Sequence, residues 1–171
     1  MDNKSSLITI SSANIEDIKH IQNVVYHTWP IVYKSIITQE QIVYMLDLFY
    51  SKEVLQENMN NDGHLFILLK EDNKVLGFAS FEHNYRNNNI TRLHKLYLMT
   101  ESHGKGMGKL LMKEVEKSAF ENQSKCISLN VNKYNRALQF YLNFGFEIVK
   151  EEILEIGHEF IMDDYVMELK L

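Results

Sequence analysis

Proline and cysteine are almost missing from this 171-residue chain, which has one of each, Pro30 and Cys126, and only seven glycines. A lone cysteine cannot close an internal disulfide, so stability has to come from a packed core. Cys126 opens the apolar run Cys126-Ile127-Ser128-Leu129, which predicts a small buried strand residue rather than a nucleophile. With so few turn-forming residues there is no linker-like stretch or low-complexity tract, and no internal repeat is visible. Long basic blocks are absent and the formal net charge is −5, which disfavours nucleic-acid binding through a basic patch. No apolar stretch approaches the roughly 20 residues that span a bilayer. The first six residues lack the positive-then-apolar pattern of a secretion signal. These absences lead to the expectation of a single domain over residues 1–171, cytoplasmic, with neither nucleic acid nor membrane as partner. A homodimer is left open.

Hydrophobic residues make up 45% of the chain, enough at this length to bury a core without staples. Their periodicity divides the chain. Residues 7–10 form a short β-prone run. Asn14, with Asp17 three residues on, reads as a helix N-cap, and Ile15, Ile18, Ile21, Val24 and Val25 recur at helical spacing to about His27. Thr38 and Gln41 make a capping-box pattern before a second helix, and a third covers residues 52–59. The period then changes. Residues 64–69 and 75–81 are β-like around an Asp72-Asn73 turn, and 91–99 make a third strand. A helix opens at the 104–108 glycines, followed by a strand at 126–131 and a helix at 135–144 ended by Gly145. Strands at 146–155 and 160–169 complete the order. Hairpins followed by a strand–helix–strand unit predict a mixed α/β sheet with helices on both faces.

The most informative stretch is Leu96-Tyr97-Leu98-Met99-Thr100-Glu101-Ser102-His103-Gly104-Lys105-Gly106-Met107-Gly108-Lys109-Leu110-Leu111. An apolar strand runs into three alternating glycines and then directly into a helix. Glycines let the backbone approach a ligand, and the helix start adds unpaired N–H donors and positive dipole, which together suit a phosphate. Lys105 and Lys109 add charge. A P-loop is rejected, because His103 stands where its first glycine belongs and Leu110 where its Ser or Thr belongs. A dinucleotide fingerprint is rejected too, since the spacing is G-x-G-x-G rather than G-x-G-x-x-G.

With these residues the sequence resembles the GNAT superfamily of acetyltransferases. The family's acyl-CoA loop, Gln/Arg-x-x-Gly-x-Gly/Ala, is matched by His103 through Gly108, with His103 departing from the usual Gln or Arg. A second family segment is matched around Asn135, Ala137, Phe140-Tyr141 and Gly145-Phe146. The resemblance covers about residues 64–150 by motif and the remainder by length and topology. It implies a mixed, mostly antiparallel twisted sheet with helices on both faces and a central splay, and it implies acetyl-CoA as cosubstrate with no metal. His103, Gly104, Lys105, Gly106, Met107, Gly108 and Lys109 would hold the pyrophosphate. Backbone groups near Tyr97 and Leu98 would orient the thioester, Asn130 or Asn135 would contact the pantetheine amides, and Phe140 would pack on the cofactor.

Catalytic roles follow from the same resemblance. Tyr141 would face the departing sulfur. With reference pKa values of about 10 for a phenol and about 8.5 for a thiol, full proton transfer to the thiolate is uphill by roughly 2 kcal/mol, so hydrogen bonding to the developing thiolate is the better role. An amine of pKa about 10.4 costs roughly 4–5 kcal/mol to deprotonate at neutral pH, which makes a base valuable. Glu82 is the first candidate and His94 the second. His20 and His27 lack a convincing metal set. Segment 28–33, placed between the first two helices, would wall an acceptor pocket with Trp29 and Tyr33. The ending 157–167 is similar to polyamine-type and other small-molecule members. The expected reaction is acetyl transfer from acetyl-CoA to a small primary amine, polyamine-like or amino-acid-like. A protein N-terminal or lysine acetyltransferase and a non-catalytic acyl-CoA sensor stand as alternatives.

Overall fold

The structure, a computed structural model, describes residues 6–171. Seven strands form one sheet: β1 (Ile8–Ser12), β2 (Leu65–Glu71), β3 (Lys74–Glu82), β4 (Ile90–Leu98), β5 (Cys126–Asn132), β6 (Glu147–Gly157) and β7 (Phe160–Lys170). Their order is β1-β2-β3-β4-β5-β7-β6. Every neighbouring pair is antiparallel except β4 and β5, which run parallel. Parallel neighbours need a crossover, supplied here by α4 (Met107–Glu121).

Period-2 alternation gives each strand two faces. Ala79 and Phe81 of β3, Leu93 of β4, and Ile127, Leu129 and Val131 of β5 pack with Leu111, Met112 and Val115 of α4 and Tyr141 of α5 (Ala137–Phe144). Phe66, Leu68 and Phe78 turn to the other face. There they meet Ile21, Val24, Val25 and Trp29 of α1 (Ile18–Val32), Ile42 and Met45 of α2 (Gln39–Tyr50), and Leu55 of α3 (Lys52–Asn60). The two cores lie on opposite sides of the sheet, as the strand–helix order predicts.

Local chemistry sets the helix ends. Asn14 Oδ1 accepts from the Glu16 N–H at 2.8 Å and Asp17 Oδ2 from the Asn14 N–H at 3.0 Å, a reciprocal cap. Thr38 Oγ1 accepts from the Gln41 N–H at 3.1 Å. Gly145, at φ 117°, stops α5 and donates its N–H to Leu142 and Tyr141 carbonyls.

One expectation is corrected. Segment 28–33 is not a connection between the first two helices: α1 runs through Pro30 to Val32, and Tyr33 N–H still closes on Trp29 O at 2.9 Å. Proline in the last turn removes only the bond to the Tyr26 carbonyl, and Tyr26 is exposed, so water can serve that oxygen.

Two irregularities position the site. Pairing of β4 with β5 ends at Leu93↔Leu129, so residues 94–98 of β4 separate from β5 and the sheet opens at its centre. Opposite β3, Ser80 pairs with Lys95 and Phe81 with Leu93, leaving His94 as the extra residue of a β-bulge. Bulges re-aim side chains.

Candidate active site

Beside the opening, α4 begins with its donors free. Gly106 is the N-cap, in left-handed conformation at φ 78°, and no side chain caps the helix. The first backbone hydrogen bond of this turn runs from Leu110 N–H to Gly106 O at 3.1 Å, so the N–H groups of Met107, Gly108 and Lys109 have no intrahelical acceptor. Around Gly104 (φ 73°) and Gly106 an added Cβ would meet no atom within 4 Å, so this loop is glycine-rich for its backbone shape. Gly108 differs. A Cβ there would lie 3.4 Å from Leu98 Cδ1 and 3.5 Å from Phe140 Cε2, ordinary packing distances, so α4 packs at this point against the end of β4 and α5. Lys105 and Lys109 are exposed on the same turn, and Met107 is half-buried against the α4-side core. His103 folds back, its Nε2 3.2 Å from Leu98 O, and so braces the loop.

Along the opening, the direction of each β4 amide follows from pairing. Met99 N–H donates to Leu76 O at 2.7 Å. Antiparallel alternation then turns the peptide groups of Tyr97 towards β3 and those of Leu96 and Leu98 towards the β5 side. Tyr97 presents its side chain to the α1 face instead, its hydroxyl 3.5 Å from that of Tyr33. Trp29 is buried beside them, 4.6 Å centroid to centroid from Tyr33 and 6.0 Å from Tyr97.

The two asparagines on this side are committed to protein partners. Asn135 Oδ1 accepts the Ala137 N–H at 2.9 Å and its Nδ2 donates to Tyr33 Oη at 3.2 Å. Asn130 lies on the sheet face opposite α4. It accepts from Arg92 at 2.5 Å, and its Nδ2 donates to Glu152 at 3.0 Å and Asp164 at 3.4 Å. Asp164 is 2% exposed with Oδ1 unpartnered, and burial pushes its carboxyl up to about 6.

Tyr141 is buried on the α4 side, and among the described residues its hydroxyl forms no hydrogen bond. Burial raises its pKa well above 10, so the phenol keeps its proton and serves as a hydrogen-bond donor. On the other face the bulge brings His94 Nε2 to 3.0 Å from Glu82 Oε2. Burial, the adjacent His64 ring and the Lys95 and Arg92 charges hold His94 far below its usual pKa, so it is neutral and Nε2–H donates to the carboxylate. Burial and the Asp62 charge raise Glu82 above the usual carboxylate range, making it a stronger base than a free glutamate. His64, which the sequence did not single out, stacks on His94 with centroids 3.9 Å apart. No local motif marks it, because the three side chains come from three different strands or their ends.

Chemically, the arrangement offers a cradle of free amides, a phenol donor on one face and a carboxylate base on the other. A family model described as an acetyltransferase (GNAT) domain matches residues 34–169. A spermidine N(1)-acetyltransferase of Thermoplasma acidophilum is 29% identical over 161 residues, covering 91% of this chain and 96% of that protein. An uncharacterised N-acetyltransferase of Mycobacterium tuberculosis is 27% identical over 158 residues, with 91% and 98% covered. Among solved structures, the PaiA N-acetyltransferase of Thermoplasma acidophilum in complex with coenzyme A superposes with a TM-score of 0.81 at 28% identity, over 96% of this chain and 99% of that one.

Proposed function

The chain belongs to the GNAT family of acetyltransferases, and from that premise we propose that it acetylates a small, polyamine-like primary amine with acetyl-CoA. The observation that carries this reading is the opening between β4 and β5, with a donor phenol on one side of the sheet and a basic carboxylate on the other. The spermidine acetyltransferase among its relatives and the coenzyme A complex among its structural neighbours support the acceptor and the cosubstrate.

In the proposed reaction the free amides of Met107, Gly108 and Lys109 receive the pyrophosphate. The outward peptide groups of Leu96 and Leu98 pair with the pantetheine arm along the gap. The acceptor enters from the face of α1 and α3. Glu82 Oε1, free because Oε2 is held by His94, takes the ammonium proton. The neutral nitrogen attacks the thioester carbonyl and the C–S bond breaks as the C–N bond forms; the nitrogen's remaining extra proton passes through solvent to the leaving thiolate, giving the free thiol, while Tyr141 Oη–H hydrogen-bonds the emerging thiolate. A donor that keeps its proton stabilises charge without completing an uphill transfer.

A pH–rate profile of Glu82→Gln on the best amine tests the role of the base. Turnover is expected to fall most near neutral pH and to converge on wild type as pH approaches the amine pKa, where deprotonation needs no help. Parallel profiles would remove Glu82 as the base.

A further inference from the structure

Three adjacent strands bring three metal-type donors to one place. His64 stands just before β2, Glu82 closes β3, and His94 is the bulged residue of β4. His94 Nε2 lies 3.0 Å and His64 Nε2 3.8 Å from the same oxygen, Glu82 Oε2. One ligand atom from each residue lies within 4.8 Å of the other two. The imidazoles are stacked 10° from parallel. A proton relay accounts for His94, which makes the hydrogen bond. It does not account for His64, whose Nε2 is beyond hydrogen-bond distance of the carboxylate and whose buried Nδ1 has no partner among the described residues.

We infer that His64, Glu82 and His94 form a binding site for a divalent transition-metal ion of the zinc class, with His64 Nε2, Glu82 Oε2 and His94 Nε2 as ligands. Two imidazoles and one carboxylate suit Zn²⁺ or Co²⁺ rather than Mg²⁺ or Ca²⁺, which prefer all-oxygen shells. Bonds of about 2.0–2.1 Å bring ligand atoms to about 3–3.5 Å separation, so closure asks for about an ångström of movement. The two rings supply it by turning out of the stack about χ2, a broad torsion in histidine. Metal binding takes the His94 tautomer with its proton on Nδ1, which frees the Nε2 lone pair for the ion. The charges around the cluster are Asp62, which favours a cation, and Lys95 and Arg92, which oppose one. The ligand side chains are 10%, 24% and 20% exposed, leaving room for water or an amine in the fourth position.

Resting on the reading of Glu82 as base, this site makes the enzyme zinc-sensitive, because an ion on Oε2 lowers the basicity of the whole carboxylate. Calorimetric titration of the full, tag-free chain with Zn²⁺, and with Co²⁺ followed by visible absorption, reads binding without any turnover. One saturable equivalent is expected, weakened about tenfold or more in His64→Ala and in the size-conserving His64→Asn, and unchanged in the exposed control His20→Ala. Absence of a saturable equivalent, or equal affinity in folded His64 variants, overturns the site. Activity is then read as the ratio with and without Zn²⁺ for each variant. Wild type is expected to be inhibited and the His64 variants spared. Stoichiometric binding that depends on His64 but leaves turnover undiminished upholds the site and instead overturns the role of Glu82.

Discussion

Asn135 donates its side-chain amide to the Tyr33 hydroxyl at 3.2 Å, a bond between the two sides of the sheet. Tyr33 ends α1 on one face, and Asn135, just before α5, accepts that helix's first N–H, from Ala137, on the other. Such a contact is open to them only where β4 and β5 have separated, so it marks the same opening in which the acetyl group would pass between cosubstrate and amine. Asn135→Ala removes a cap worth about 1 kcal/mol and leaves the buried Tyr33 hydroxyl with Tyr97 alone. A loss of about 1–2 kcal/mol in chemical denaturation is expected. An unchanged midpoint would mean that the bridge contributes nothing.

The cradle at α4 depends on donors without a partner among the described residues. Gly106→Asp sets a carboxylate beside them and requires a residue other than glycine at φ 78°, a conformation aspartate tolerates at about 1–2 kcal/mol. Coenzyme A affinity, measured by calorimetry, is expected to fall at least about tenfold, the worth of one charge-assisted hydrogen bond, while the fold persists. Undiminished affinity would place the pyrophosphate elsewhere.

Much of this was legible in the chain. Most strands and helices could be read from the periodicity of their apolar residues, with helix boundaries marked by Asn14, Thr38 and Gly145. The glycine loop could be read because phosphate binding there is a local backbone property. Four features were not. The first helix, read to about His27, continues through Pro30 to Val32, because the donor that proline lacks falls beside an exposed Tyr26. The bulge at His94 is a register event between strands, invisible in either alone. The His64, Glu82 and His94 cluster, and the Arg92, Asn130 and Asp164 network, join residues far apart in sequence, so no spacing could reveal them.

Tyr141→Phe keeps the ring packing and removes only the unpaired hydroxyl. If that hydroxyl acts as charge grows on sulfur, turnover falls with little change in acetyl-CoA affinity. A hydrogen bond to developing charge is worth roughly 1.5–3 kcal/mol, or about ten- to over a hundredfold in rate. Wild-type turnover on a substrate limited by chemistry would reduce Tyr141 to packing.

Asp164 gives the fold a pH dependence. The native protein holds this proton more tightly than the unfolded chain, at about 6 against an ordinary 3.8. Its contribution is therefore most favourable below about 4, is lost as pH rises towards 6, and remains a penalty above that. Asp164→Asn keeps the shape without the charge. It is expected to stabilise the protein at pH 8 by roughly 1–3 kcal/mol relative to its effect at pH 4. Urea denaturation at both values checks this, and an effect independent of pH would contradict it.

The central claim is that this chain moves an acetyl group from acetyl-CoA to a small primary amine. The most direct measurement offers acetyl-CoA together with diamines, polyamines, amino acids and peptides carrying free N-termini. Thiol release is followed continuously, and the acetylated product is identified by mass spectrometry. Acceptor-dependent thiol release is expected, fastest with a polyamine-type amine and with that amine recovered acetylated. Acetyl-CoA binding with no acetylated product from any acceptor, or acetylation confined to peptide N-termini, would contradict it.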